Sequence, residues 1–380
     1  WEGGRVSCLG ANYYGQLGID GVERSHTLIA PVAQELTLLR AAYDVNCGMW
    51  DEVPVCWGRD SFWRAGPSFP PTQMEFGRAR DFAIGLDHLC ALVEGGVVCL
   101  GENDRGQVGK RGDPTVQPVP VAVDGLEEAV AIAAGAEHNC AQRGNGEIVC
   151  WGDDRYGQLG IGTAAGSIPP REVEDLEEMV NVSSGRAHSC ALHRSGEVSC
   201  WGRTSAGQLG REPRTLEGPP GRVQDLSDAV AISVGMTHGC AIRSNGRVVC
   251  WGDNRNNLCG NGKAEPRTIP PVEVPGLSDV RQVEAGWTST CALTGSGSVY
   301  CWGDNSVGQR GNGTSRSFRE ITPCSKANSN NAVGDDWGRR WWSSSHVRTS
   351  VTSTSSSSVS NVPRSGFRSI RLSTLSSMSW

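Results

Sequence analysis

The stretch HNCAQRGNGEIVCWGDDRYGQLG, residues 138–160, decides how the rest of the chain is read. It returns as HSCALHRSGEVSCWGRTSAGQLG (188–210) and again as HGCAIRSNGRVVCWGDNRNNLCG (238–260). The cysteine that opens the frame C-[WL]-G-x-[DN]-x-x-G-Q-L-G stands at Cys8, Cys56, Cys99, Cys150, Cys200, Cys250 and Cys301. Its spacings are 48, 43, 51, 50, 50 and 51 residues, and the copy after Cys56, CWGRDSFWRAG, is degenerate. Self-similarity at a fixed period of this length signals a repeat architecture and has to be settled before any local reading.

Within a unit, GQLG is followed by a polar loop ending in prolines, such as SIPP (167–170), and then by a short alternating stretch such as PVEV (271–274). A turn of the DGL type (124–126), the alternation AVAIAAG (129–135) and the two-cysteine frame complete it. That makes about four short strands separated by turn signals, with no helical period. Such a sheet cannot bury both faces alone, but radial stacking lets neighbours bury each other. The expected fold is all-β: a β-propeller of about seven four-stranded blades over residues 1–315, the last incomplete.

The cysteine frame reads as a hairpin. Cys140 and Cys150 flank Gly144-Asn145-Gly146, and Cys90 and Cys99 flank Glu94-Gly95, so a loop one residue shorter preserves the pairing. Directly opposed strand residues lie about 4.5–5.5 Å apart, within disulfide range. The expected bonds are Cys47–Cys56, Cys90–Cys99, Cys140–Cys150, Cys190–Cys200, Cys240–Cys250 and Cys291–Cys301. One disulfide per blade implies an oxidising compartment. Two alternatives stand beside this reading. Free thiols pack well as small buried groups, and His138 with Cys140 and Cys150 offers three zinc-type ligands per blade but no fourth. Cys8, Cys259 and Cys324 are left over; Cys8 belongs to the second arm of a hairpin whose first arm is missing.

The stretch Gly185–Gly210 resembles the regulator of chromosome condensation family, whose repeat reads G-x-x-H-x-C-A-L-x-x-x-G-x-V-x-C-W-G-x-N-x-x-G-Q-L-G. The resemblance covers residues 1–315 and implies a seven-bladed propeller whose last blade is built by strands from both chain ends. GGRVSC would supply one arm. The other, G-x-x-H-x-C-A, is due near residue 340, where the sequence instead reads DWGRRWWSSSHVRTS. Residues 316–380 carry nine Lys/Arg and three Asp/Glu, and half of residues 341–380 are Ser or Thr. They read either as a disordered basic tail or as a frameshifted or chimeric gene end. The expected result is an imperfectly closed ring with a loose C-terminus.

The tail's charge of +6 leaves −12 for the rest of a chain whose total is −6. An acidic body suits nucleic-acid phosphates poorly. No run of about 18 apolar residues is present to span a membrane, and no targeting segment stands between Trp1 and the first repeat. His88, His138, His188 and His238 recur at one position of successive blades, which points to structure rather than to several active sites. Trp57, Trp151, Trp201, Trp251 and Trp302 recur likewise and read as packing between blades. Asp153, Asp253 with Asn254, and Asp304 with Asn305 sit in turns that such residues favour; calcium would need more oxygens close by. No nucleophile elbow, Walker loop or H-E-x-x-H occurs. No catalytic residue, metal ligand or cofactor is therefore assigned, and no binding residue is singled out.

The frame repeats while the loops vary, which is how a recognition surface looks. The first function expected is a non-catalytic, monomeric scaffold, secreted or at the cell surface, that binds a protein or glycan; an inhibitor would be a narrower form of it. The alternative that the family name implies is a guanine nucleotide exchange factor for a small GTPase, although the even spacings leave little room for a projecting wedge. A light sensor similar to the plant ultraviolet receptor would need repeated G-W-R-H-T, and only Gly286-Trp287-Thr288-Ser289-Thr290 occurs, once.

Overall fold

The computed structural model describes residues 8–19, 21–29, 36–60, 66–110, 116–162, 166–212, 215, 217–315 and 321–324. The readings made above for residues 325–380 and for the strand due near residue 340 lie outside them.

Among the described residues there are six four-stranded antiparallel sheets and one sheet of two strands. The third sheet shows the pattern: Ala129–Ala134, His138–Arg143, Ile148–Asp153 and Ser167–Glu172 pair in sequence order. Blades 1 to 6 begin with the strands Leu39–Ala42, Ala79–Ile84, Ala129–Ala134, Met179–Ser184, Ala229–Val234 and Val280–Ala285. These first strands pack against one another from blade to blade, so they are innermost. The two-stranded sheet, Cys8–Ala11 with Arg24–Ile29, is a partial seventh blade equivalent to the two outer strands of the others. Among the described residues the fold is thus a propeller of six complete blades and a partial seventh.

The core lies between sheets rather than inside one. One cluster joins Cys140, Ile148 and Leu159 of blade 3 to Met179, Val182 and Trp201 of blade 4, and the other seams repeat this arrangement. Each sheet presents an apolar face to both neighbours, and for that reason the second and third strands are buried nearly throughout.

All six expected disulfides are present, each between residues directly opposed in the register. Their Cα atoms are 4.0–4.2 Å apart. This is nearer than the average opposed pair and fits the closer, non-hydrogen-bonded kind of site. With these thiols bonded, they are not free to act as zinc ligands. Cys8, Cys259 and Cys324 carry no disulfide.

The glycine of C-W-G has a backbone reason. Gly152 has φ +105°, and a side chain there would strike the Glu137 carbonyl at 2.6 Å. This twist of the third strand lets Asp153 N–H donate to Glu137 O instead, tying its end to the inner loop.

Candidate functional site

The recurring histidines and tryptophans meet at the seams. His138 Nε2 lies 2.9 Å from Ser189 Oγ in the next blade. Ser189 Oγ donates onward to Gln158 O at 3.3 Å, and Trp201 Nε1 donates to the same carbonyl at 2.9 Å. His88, Asn139, Gln107 and Trp151 repeat the arrangement, with His88 Nε2 to Asn139 Oδ1 at 2.9 Å. So do His238, Thr290, Leu258 and Trp302, with His238 Nε2 to Thr290 Oγ1 at 2.8 Å. The asparagine oxygen only accepts, and each hydroxyl spends its proton on a carbonyl. Nε2 is therefore the protonated nitrogen of the neutral ring. Nδ1, which has no hydrogen-bond partner in any of these rings, is then an unused acceptor rather than a stranded donor.

Burial pushes these imidazoles down, His88 and His238 to about 4, His138 and His188 to about 3. They are neutral at any ordinary pH and are completely buried. A general base needs access to substrate, and these rings have none. Gly-x-x-His has a steric reason as well: a side chain at Gly135 would lie 2.1 Å from the His138 ring.

Among the described residues, two of the seams between complete blades depart from the pattern. Between blades 1 and 2, Val45 stands where the histidine is due, Leu89 where the hydroxyl is due and Leu100 where the tryptophan is due, all buried in one apolar cluster. Between blades 4 and 5, His188 is present but its partner position is Gly239, so neither ring nitrogen has a hydrogen-bond partner. The Trp251 ring leans into the space, 2.6 Å from where a Cβ on Gly239 would sit.

Residues of these turns bond their own backbone, but in blade 3 the residue that does so is Asp154 and not the expected Asp153. Asp154 Oδ1, Asn254 Oδ1 and Asn305 Oδ1 accept the N–H five residues on, at 2.9, 2.9 and 3.0 Å. Asp153 sits beside this turn and accepts from Gln158 Nε2 at 2.7 Å and from Arg155 at 2.7 Å. Asp253 is held by Arg255, and Asp304 by Ser306 and Gln309. Among the described residues no group of three or more His, Cys, Asp or Glu side chains converges as a metal site.

A different set of residues forms the exposed surface. Because the strands alternate in direction, the Gly-x-x-His loops and the loops after C-W-G emerge at one end of the ring. The inner strands enclose a cavity of about 290 Å³ that opens among Tyr43, Arg186, Met236 and Trp287 on this face. Tyr43 packs edge-on against Trp287, ring centroids 4.6 Å apart, bridging blades 1 and 6. Further out, Arg59 lies over the Tyr14 ring at 5.6 Å and Arg203 over the Tyr156 ring at 4.9 Å, each joining two blades. Tyr13, Tyr14, Tyr156 and Trp287 are all exposed.

The same face carries Asp44, Asp87, Glu102, Asp104 and Glu137. Burial raises the Asp44 carboxyl above its ordinary range, with Arg59 lowering and Asp87 raising it. Glu102 is raised by burial first, then by Asp87, Asp104 and Glu137. Glu137 is bridged by Arg155 at 2.5 Å and more loosely by Arg105 at 3.9 Å. Asp87 Oδ1 is buried with no hydrogen-bond partner.

Residues 2–275 match the family model described as RCC1-like domain, and residues 280–309 match the regulator of chromosome condensation (RCC1) repeat. The chain belongs to the RCC1-like family. RCC1-like propellers of known structure share its fold. Prp20p from Saccharomyces cerevisiae is 18% identical, with 86% of this chain and 87% of that chain covered and a TM-score of 0.76. Human WBSCR16 is 18% identical, with 85% and 94% covered and a TM-score of 0.75. No curated protein matches the sequence.

In this RCC1-like propeller the histidines and tryptophans singled out from the sequence lie buried, whereas the exposed residues were not singled out. Trp287 stood out only as a failed G-W-R-H-T match, and Tyr43 not at all. A signal did exist: the first variable position of Gly-x-x-His holds Leu86, Ala136, Arg186, Met236 and Trp287 in successive blades, with Tyr43 at the equivalent place in blade 1. Once the inner loops are known to ring the axis, that one column maps the mouth of the cavity.

Proposed function

We propose that this chain is a non-catalytic, protein-binding propeller that engages its partner through the Gly-x-x-His face, and that it works outside the reducing cytosol, in a secreted or cell-surface setting. The observation that carries the reading is the cluster on that face of exposed Tyr13, Tyr14, Tyr156 and Trp287 beside Arg59, Arg186 and Arg203. Tyrosine, tryptophan and arginine dominate binding hot spots because they combine a large apolar area with a polar tip. The repeated seam chemistry uses none of them, so their exposure is not a by-product of the fold. A protein partner suits this face better than a glycan, because the face mixes arginines and carboxylates with the rings. The six disulfides support that compartment.

The test compares partner capture by the wild-type chain with two variants. Tyr14→Ala/Tyr156→Ala/Trp287→Ala removes rings from the proposed face, and Glu127→Gln/Glu177→Gln alters the opposite one. A specific partner lost only with the first variant supports the reading; a partner lost only with the second overturns it.

A second reading has support in the family. The fold match Prp20p is described by its binding to Gsp1p and histones, and an exchange factor for a small GTPase is the family-level alternative. Accelerated release of a fluorescent guanine nucleotide from a small GTPase partner would favour it over the scaffold.

A further inference from the structure

Resting on the extracellular part of the proposed function, we infer that Asn312 is the acceptor for an N-linked glycan. The chain holds the acceptor pattern Asn-x-Ser/Thr, with x other than proline, at Asn181-Val182-Ser183 and at Asn312-Gly313-Thr314. Such a pattern marks a modified surface loop when a protein is secreted. The fold tells the two copies apart.

Asn181 belongs to the inner strand Met179–Ser184 of blade 4. It pairs with Leu192, Val182 beside it is buried, and Ser183 Oγ accepts the Val234 N–H of the next blade at 3.1 Å. A sugar there would stand among inner strands that pack from blade to blade. This copy of the pattern serves the packing of the ring.

Asn312 lies in the loop after C-W-G of blade 6, between the strands Val299–Gly303 and Thr322–Pro323. It is half-buried, while Gly313, Thr314 and Ser315 are exposed. Gly313 has φ +76°, and a side chain on it would meet nothing within 4 Å, so the turn faces open space. The amide is held by its oxygen. Asn312 Oδ1 accepts from Thr314 N at 3.2 Å, from Thr314 Oγ1 at 2.9 Å and from Asn305 Nδ2 at 3.2 Å. A backbone N–H can only donate, which fixes which end of this amide is oxygen. Among the described residues Nδ2 donates only to Thr322 Oγ1, at 3.4 Å. Glycosylation replaces one of its two hydrogens and leaves the other for that contact.

Blade 5 supplies the contrast. Asn261 stands in the same turn, its Oδ1 accepting from Asn254 Nδ2 at 2.9 Å and from Lys263 N at 3.0 Å. There Nδ2 is tied to Glu265 Oε1 at 3.1 Å, and Lys263 takes the place of Thr314. The turn is common to both blades; the acceptor pattern and the freer nitrogen belong to blade 6. The reaction is a glycosyl transfer. Asn312 Nδ2 attacks the anomeric carbon of a lipid-linked oligosaccharyl pyrophosphate, the C–N bond forms as the C–O bond to pyrophosphate breaks, Nδ2 gives up one proton and the lipid pyrophosphate leaves.

The experiment expresses the full chain behind a cleavable secretion signal in cultured animal cells. Peptide N-glycosidase in heavy-oxygen water then leaves labelled aspartate wherever a glycan was removed, and peptide mass spectrometry locates it. The expected result is label at Asn312 alone, lost in both Asn312→Gln and Thr314→Ala and kept in Ser183→Ala. The sugar is added during translocation, so a variant that fails to fold is still read from the cell extract. A bare Asn312, label at Asn181, or label at Asn312 that survives Thr314→Ala would overturn the inference. Disulfides are counted in the same sample. A chain with its six disulfides formed and Asn312 bare keeps the extracellular reading and loses only the glycan. A chain labelled at Asn312 whose paired cysteines stay reduced in the secretory pathway keeps the acceptor site and loses the extracellular reading instead.

Discussion

The seam between blades 3 and 4 and the seam between blades 1 and 2 solve one packing problem with opposite chemistry. The first buries a histidine, a serine, a backbone carbonyl and a tryptophan in one hydrogen-bonded relay. The second places Val45, Leu89 and Leu100 at the corresponding positions. All three polar side chains are gone together. A buried donor left without its acceptor costs the full desolvation of that group, whereas replacing both partners by apolar groups costs little. The seam between blades 4 and 5 lies between these extremes, because it keeps His188 and the Trp251 bond to Gln208 O, at 3.0 Å, but lacks the middle link. One chain therefore holds a complete relay, a fully apolar substitute and an interrupted version.

Acid should separate these seams most strongly. A histidine whose folded pKa is depressed contributes stability fully present above its unfolded value, near 6.5, and lost as pH falls from there toward 3–4. Each buried histidine then costs up to about 1.4 kcal/mol per pH unit below its unfolded value. Thermal denaturation from pH 7 to pH 5 should show a clear fall in Tm, softened by replacing His188 with Leu. A Tm that is flat or rises over this interval would show that the rings are not held neutral.

Side-chain deletions should give intermediate effects. Ser189→Ala strands the His138 Nε2–H and should destabilise by about 1–3 kcal/mol in chemical denaturation. Gly239→Ser adds the missing hydroxyl but should not repair its seam, because its Cβ meets the Trp251 ring; overpacking of this kind costs about 1–3 kcal/mol. If Gly239→Ser stabilises the protein, the interrupted seam has room that the ring position denies.

The smallest effect concerns the turn that supports the complete relay. Asp154 is wholly buried, its Oδ2 has no partner, and burial lifts its carboxyl to about 7. At the same place Asn103 donates its amide to Lys110 O at 2.8 Å, and Asn305 donates to Thr314 O at 3.0 Å. A raised carboxyl contributes stability that is fully present below its unfolded value, near 3.8, and lost as pH rises through 7. Asp154→Asn should therefore raise Tm at pH 8, and the gain should shrink as pH falls toward 4. A gain independent of pH would mean that this carboxyl does not titrate in the fold.

The legibility of the protein in its sequence followed the repeat. Cys140 and Cys150 could be paired from a hairpin loop that changed length without changing the pairing. The histidines and tryptophans could be read as structural because each recurs at one position of several blades, where several copies of an active site make no sense. The partners of those rings were not legible, since His138 meets Ser189 across 51 positions, a separation that no local pattern encodes. The loop face was hidden for the opposite reason: it is built from the columns where the repeat does not repeat.

By itself, the sequence determined the blade, its four strands, its disulfide and the family, because these depend on period, alternation and spacing within about 50 residues. The tertiary structure alone decided which side chains touch between blades, which seam lacks its middle link, and that Tyr43 and Trp287 meet across the ring. Closing the ring brings equivalent positions of distant repeats around one axis, and contacts made there depend on geometry that spacing along the chain does not carry.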